Sequence, residues 1–488
     1  MDPKDIHSSE SLDEISSTFW SIYIGKLLKI KTFNTIREHQ FVNHFPNSIL
    51  LGRKDFLARN IKRMIAHFPE HYQDLMPQTF NLPSEINSFK RACSDSPGQL
   101  WIYKPGASAR GEGIKLVTSP SKIPSVKGVI QRYVHDPYLI RQSKFDLRIY
   151  TTIISIKPLM IYIHDEGLVR FASKKYNQSR SSISNLFIHL TNYSINKNNP
   201  NYIKSNDSKT FSHKWSLKAL WEYFERKKID YKKIYEEIKC IIVKTILTAY
   251  SELYRLTLLN CKNYNSPSEI LGFDILIDRN LKPWLLEVNI SPSMGTGSNL
   301  DFRVKRQVLC DYLNLIGLKI PSNNKIRTSK RKSVKSEDLS SKKNTSINYS
   351  GLFSENDHKK ASFYESLLNE VYKAEHTLEK RIHQTFNGIF DTYTPGDVRI
   401  LTAFIDQIRR KGRTELIFPV ADEKLMDVYF EISFKTFHYE IILCTAYILS
   451  EDQGKIEEEL VDLCTKKVHK YYRETPPEKN IWGELKEN

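Results

Sequence analysis

Three oxygen-bearing side chains in one short stretch carry the strongest chemical signal in this 488-residue chain. The run Gly272-Phe-Asp-Ile-Leu-Ile-Asp-Arg-Asn-Leu-Lys-Pro-Trp-Leu-Leu-Glu-Val-Asn289 holds two alternating apolar segments around Asp278-Arg279-Asn280. That centre is turn chemistry, so the run predicts a β-hairpin. A hairpin centred between Asn280 and Leu281 sets Asp274 opposite Glu287, and Asn289, two residues on, shares their face. Carboxylates roughly 5 Å apart across strands repel unless something positive lies between them. Asp, Glu and Asn together suit Mg²⁺, a hard cation often shared with nucleotide phosphates. The same spacing also describes an exposed polar hairpin face, and a one-residue bulge would break the pairing.

Other runs offer anion chemistry. In Lys104-Pro-Gly-Ala-Ser-Ala-Arg-Gly-Glu-Gly113, Gly111 and Gly113 let backbone N–H groups approach phosphate oxygens, with Lys104 and Arg110 supplying charge. It is not a Walker A loop, because GxxxxGK[S/T] is absent; a plain Gly-rich hairpin loop has the same composition. Lys144-Phe-Asp-Leu-Arg-Ile-Tyr150 alternates strictly, which puts Lys144, Asp146 and Arg148 on one strand face and Phe145, Leu147 and Ile149 on the other. Such a face suits ribose and phosphate, and equally a solvent-facing ladder of ion pairs. Gln131-Arg-Tyr-Val134 offers backbone groups and an apolar wall for a purine edge, and His189-Leu-Thr-Asn-Tyr-Ser-Ile-Asn-Lys197 is unusually polar after an apolar run.

The elements that must position these groups follow from periodicity. Residues 57–68 read as an amphipathic helix with a basic outer face; 100–173 as short strands; 213–226 and 231–258 as helices; 272–289 as strands; 301–318 as a helix. Residues 321–350 are rich in Lys, Arg, Ser and Asn with few apolar side chains, which is the composition of a solvated, disordered linker. Helical patterns then dominate 351–475, ahead of a polar tail at 476–488. Strands mixed with helices imply an α+β core and a helical C-terminal region.

Composition narrows the partners. A net charge of +17 and a pI of about 9.3 favour a polyanion: nucleic acid, an anionic membrane or an acidic protein surface. The six cysteines form no CxxC pair, which fits reduced cytosolic thiols better than a disulfide framework or zinc site. The N-terminus has no apolar signal region, and the most apolar later run, 441–449, is far short of a membrane span. These features predict a soluble intracellular protein.

Taken in order, the motifs resemble the tubulin tyrosine ligase-like family, within the ATP-grasp fold, and its polyglutamylase branch in particular. They are Asn43-His-Phe-Pro46, Lys104-Pro with Arg110-Gly, Lys144-Phe-Asp-Leu-Arg148, Leu168-Val-Arg-Phe-Ala172, His189-Leu-Thr-Asn-Tyr-Ser194 and Leu286-Glu-Val-Asn-Ile-Ser-Pro-Ser293. The resemblance implies an ATP-grasp-like core with mixed or antiparallel sheets, divided into an N-terminal domain at 1–99 and central and C-terminal catalytic domains at 100–320. It implies ATP contacts from Lys104, Arg110, Gly111, Gln131, Arg132, Tyr133, Val134, Lys144, Phe145, Asp146, Thr191 and Asn192. Two Mg²⁺ ions would lie on Asp274, Glu287 and Asn289, and glutamate against Arg170, Tyr193, Ser194, Lys214 and Lys305. Lys104, Arg148 and Glu287 carry the implied catalytic roles; Lys54 matches a basic position of unassigned role.

The reaction so implied joins free glutamate to glutamate side chains of tubulin tails through an acylphosphate. A monomeric cytoplasmic protein on the microtubule cytoskeleton is expected, with a cilium or basal body as a candidate location, tubulin rather than nucleic acid as the polyanion and residues 351–475 as a candidate docking element. The alternatives are a glycylase, a glutamylase of other acidic proteins, and a microtubule-binding protein that retains the fold without the activity.

Overall fold

The computed structural model describes residues 20–106, 111–123, 127–203, 212–318, 407, 410–418 and 428–429. Two short strands, β1 (Ile22–Tyr23) and β2 (Phe41–Val42), pair in parallel near the start. A four-stranded sheet follows, built from β3 (Thr79–Leu82), β4 (Trp101–Pro105), β5 (Lys115–Val117) and β6 (Gly128–Arg132) in the order β3-β6-β4-β5. Its neighbours are all antiparallel, and it runs across the division expected between 99 and 100. Phe89 stands edge-on to Trp101 at 5.1 Å, and with Phe80, Tyr103 and Ile130 it forms this sheet's own core.

The larger sheet has seven strands: β7 (Leu139–Ile140), β8 (Ser143–Ile156), β9 (Leu159–Phe171), β10 (Lys214–Ser216), β11 (Glu269–Ile277), β12 (Pro283–Asn289) and β13 (Thr414–Phe418). Its spine runs β10-β9-β8-β11-β12, with β13 on β9 and β7 on β8. Strand alternation sends Leu147, Ile149, Val169, Phe273 and Ile275 to one face. There they meet Ile238, Ile242, Ile246 and Leu253 of the helix Tyr231–Asn260, each such burial contributing about 1.5–3 kcal/mol. Asp230 accepts from the Lys233 N–H and starts that helix. The helix Lys54–His67 covers the same core with Leu57, Ile61 and Met64. No described helix is long and apolar enough to cross a membrane.

The α+β expectation holds for the described residues, with two local corrections. Residues 214–216 are strand rather than helix, because their backbone pairs with Leu168–Arg170 and Ser216 caps a helix that starts only at Leu217. Residues 414–418, inside the stretch expected to be helical, form β13, since β9 offers an open edge at Ile161–His164. Phe418 then packs edge-on to Tyr429, whose ring lies 5.3 Å from that of Tyr250. The linker at 321–350, the tail at 476–488 and most of 351–475 lie outside the described residues.

Gly412 leads into β13 at a φ of +61°, and a β-carbon there would collide with the Asp311 carboxylate. Replacing it with alanine is expected to destabilise the fold by about 2 kcal/mol. Urea unfolding of Gly412→Ala measures this, and an unchanged midpoint would mean that β13 adds nothing to the sheet's stability.

Candidate active site

The hairpin of β11 and β12 places its acids by a route different from the expected one. Next to the turn, Ile277 pairs with Pro283 and Ile275 with Leu285, a register that alone would set Leu286 opposite Asp274. The register shifts by one residue between Asp274 and Ile275, and beyond it Asp274 faces Glu287 and Gly272 faces Asn289. The bulge therefore creates the acid pair rather than breaking it. It also turns the Leu286 carbonyl toward the cleft, where it accepts from Lys104 Nζ at 3.3 Å.

Two rows of charge cross the polar face of the large sheet. Lys214 on β10 pairs in register with Arg170 on β9, which pairs with Asp146 on β8. Two residues along β8, Arg148 pairs with Asp274 on β11, which pairs with Glu287 on β12. Arg148 grips Asp274 with Nε at 2.6 Å and Nη2 at 3.1 Å. Arg170 holds Asp146 with Nε at 2.7 Å and Nη2 at 2.5 Å, and reaches Asp274 at 2.8 Å. Burial alone would raise the Asp274 pKa, but the two arginines outweigh it and hold the carboxyl far below its usual range. Lys54 contacts Glu287 at 3.2 Å, a partner that spacing gave no means of finding.

Between this face and the four-stranded sheet lies a cleft of about 780 Å³ including its open mouth. Its walls bring together Lys104, Gly111, Gln131 to Val134, Lys144, Asp146, Thr191, Asn192, Asp274 and Glu287. Lys104 donates to Gln131 Oε1 at 2.8 Å. Burial lowers its pKa to about 8, offset in part by Glu287. Lys144 is lowered further, to about 7, by burial, with Lys104 adding to the effect and Asp146 opposing it. Gly111 has a φ of +81°, and a side chain there would strike Ile195.

Not every expected nucleotide side chain is turned into the cleft. Phe145 does not face the cleft: strand alternation buries it in the apolar core, 5.6 Å from the Phe171 ring. Arg132 lines the rim, but its Nε donates to Gln99 Oε1 at 3.0 Å. Arg110 lies outside the described residues.

The expected amino-acid residues gather beyond Arg148. Lys214 holds both oxygens of buried Asp301 at 2.9 and 2.7 Å, and its ammonium lies 4.5 Å over the Tyr193 ring. Lys305 donates to the Gly295 carbonyl at 2.5 Å and lies 3.8 Å from Asp301. Half-buried Ser194 sits beside Tyr193 in the short helix Tyr193–Asn196. Asp301 was legible only as part of a helix start, Ser298-x-x-Asp301, where Ser298 accepts from the Asp301 N–H; its ion pair was not. Nor did spacing reveal that the Tyr133 hydroxyl joins Lys144 at 2.9 Å to His189 at 3.0 Å.

Asp274, Glu287 and Asn289 fit a divalent cation in kind. They are hard oxygen donors on neighbouring positions of one hairpin, and the Asn289 amide donates to the Gly272 carbonyl at 3.2 Å, leaving its own carbonyl oxygen as the donor to a metal. Among the described residues no cluster of three His, Cys, Asp or Glu side chains stands ready for a metal, so the acids here are balanced by Arg148, Arg170 and Lys54.

Residues 33–327 match the model of the tubulin-tyrosine ligase family. The chain is 42% identical over 398 residues to a human protein named tubulin monoglutamylase TTLL4, covering 81% of this chain and 32% of the relative. It is 34% identical over 456 residues to tubulin polyglutamylase ttll-4 of Caenorhabditis elegans, covering 92% of this chain and 70% of that one. A probable beta-tubulin polyglutamylase of Tetrahymena thermophila is 37% identical over 346 residues, covering 69% of this chain and 28% of the relative. The chain thus spans about a third of the length of the human relative.

The lowered lysines fix the sign of a linkage. At about pH 8 the free site holds Lys144 largely and Lys104 partly neutral, and a bound polyphosphate favours their charged forms. Binding of a polyphosphate is therefore expected to take up protons at that pH. Calorimetry in buffers of different ionisation enthalpy measures the uptake, and a heat independent of buffer would refute it.

Proposed function

Since the chain belongs to the tubulin-tyrosine ligase family, we propose that it is an ATP-dependent ligase that adds glutamate to glutamate side chains of tubulin's acidic tails. The observation that carries this reading is a cleft in which buried lysines face the paired carboxylates of one hairpin, with a second cationic cluster adjoining it. The acceptor's γ-carboxylate attacks the γ-phosphorus of ATP and ADP leaves. The amino group of free glutamate then attacks the acylphosphate carbon, forming a C–N bond as phosphate departs and the nitrogen gives up a proton.

Each step gathers negative oxygens, and the residues answer that charge. Lys104 and Lys144 face the polyphosphate, while Arg148 continues the positive row toward the reacting carboxylate. Arg170, Lys214 and Lys305 supply the positive charge that an amino-acid carboxylate requires, with Tyr193 and Ser194 beside them. Mg²⁺ held by Asp274, Glu287 and Asn289 would offset charge on the phosphates. The net charge of +17 suits steering of glutamate-rich tails, which supports an acidic tubulin tail as the partner. Relatives named as tubulin monoglutamylase and polyglutamylases support this choice of acceptor and amino acid.

Mass spectrometry of tubulin tails after incubation with the chain, ATP and glutamate is expected to show added glutamate. Glu287→Gln should cut the rate by about 100-fold or more while the protein stays folded. Addition of glycine instead, or full activity in Glu287→Gln, would overturn the assignment.

A further inference from the structure

We infer that His189 is a positioning residue for nucleotide binding: it orients the Tyr133 hydroxyl, which in turn fixes the Lys144 ammonium at the cleft. The inference rests on the nucleotide reading above and adds to it a residue acting through another side chain. Lys144 Nζ donates to Tyr133 Oη at 2.9 Å, and Tyr133 Oη lies 3.0 Å from His189 Nδ1. On the far side of the ring, His189 Nε2 is 3.1 Å from the Ser182 carbonyl oxygen.

The direction of the chain follows from its ends. A carbonyl only accepts, so Nε2 carries the proton and Nδ1 of the neutral ring is an acceptor. The Tyr133 O–H then donates to Nδ1 at 3.0 Å, with the Tyr176 hydroxyl as a second neighbour, which leaves its lone pairs to receive the ammonium. Lys144 also sits 4.2 Å over the Tyr133 ring, so one residue holds it by two contacts.

The network has little freedom to rearrange. His189, Tyr133 and Lys144 are 2%, 3% and 6% exposed, and the Tyr133 and Tyr176 rings each meet the imidazole edge-on at 5.7 Å. The charged and titratable groups around it are Lys144, Asp146, Lys104 and Tyr176, with the Ser182 hydroxyl 3.5 Å from Nε2. Burial, reinforced by Lys144, lowers the His189 pKa to about 4, so the acceptor form persists at neutral pH. Because Lys144 itself titrates near neutrality, an oriented lone pair weighs heavily on whether it is charged.

Calorimetric titration of the full chain with ADP, between about pH 6 and 9, tests the relay. His189→Phe and Tyr133→Phe are each expected to weaken ADP binding about tenfold near neutral pH and to move the pH midpoint of affinity downward. The double variant should be no weaker than either single one, and His189→Asn, whose carbonyl can accept from Tyr133, should recover part of the loss. Tyr133→Phe removes only a hydroxyl, so it keeps the test readable if the His189 variants unfold. Additive losses with an unmoved midpoint would overturn the inference and leave His189 a packing residue. A wild-type chain that binds no ADP would overturn the nucleotide reading, and this inference with it.

Discussion

The structure depends on keeping a set of opposite charges neutralised on one buried sheet face. Arg170 lies between Asp146 and Asp274, and Asp274 between Arg148 and Arg170, so no member can be removed without leaving a charge away from water. Losing one partner of such a group costs about 3–5 kcal/mol, a large share of a domain's stability. The same side chains thus hold strands β8, β9 and β11 in register and bring Asp146 and Asp274 to the cleft. Register and reactivity are one constraint here, because a one-residue slip would send every charge into the apolar core.

The balance is deliberately incomplete toward the cleft. Acids at the sheet are matched by arginines, whereas Lys104 and Lys144 are buried with too little negative charge nearby, and their pKa values fall. The proposed polyphosphate would supply what is missing. Beyond Arg148 a second cluster follows a related rule: Lys214 is matched by Asp301, while burial together with Lys214 and Arg148 lowers Lys305 against the pull of Asp301. Two anion-favouring ends on one continuous face suit a reaction that brings a phosphate and a carboxylate together.

The sheet that carries these charges extends beyond the stretch that the family model matches. The matched region ends at residue 327, yet β13 at 414–418 completes the edge of β9. The Arg413 N–H lies 3.5 Å from Asp311 Oδ1 on the helix Asn299–Leu315, whose other end holds Asp301. The helix that carries Asp301 therefore also meets the chain just before β13.

Alternation in 144–150 and 272–277 was enough to place Lys144, Asp146, Arg148 and Asp274 on polar strand faces, because side-chain direction in a strand is a local property with a period of two, whereas Glu287 reaches that face through the bulge. The same rule assigned Phe145 to the opposite face, where its ring is buried in the apolar core. Three features needed the tertiary structure. The bulge at Leu286 depends on how β12 settles against its neighbours, β10 and β13 exist because β9 has edges to fill, and Lys54, Asp301 and His189 reach their partners from far along the chain. Spacing along a chain encodes which way a side chain points; what it meets there is decided by elements that approach only when the core is buried.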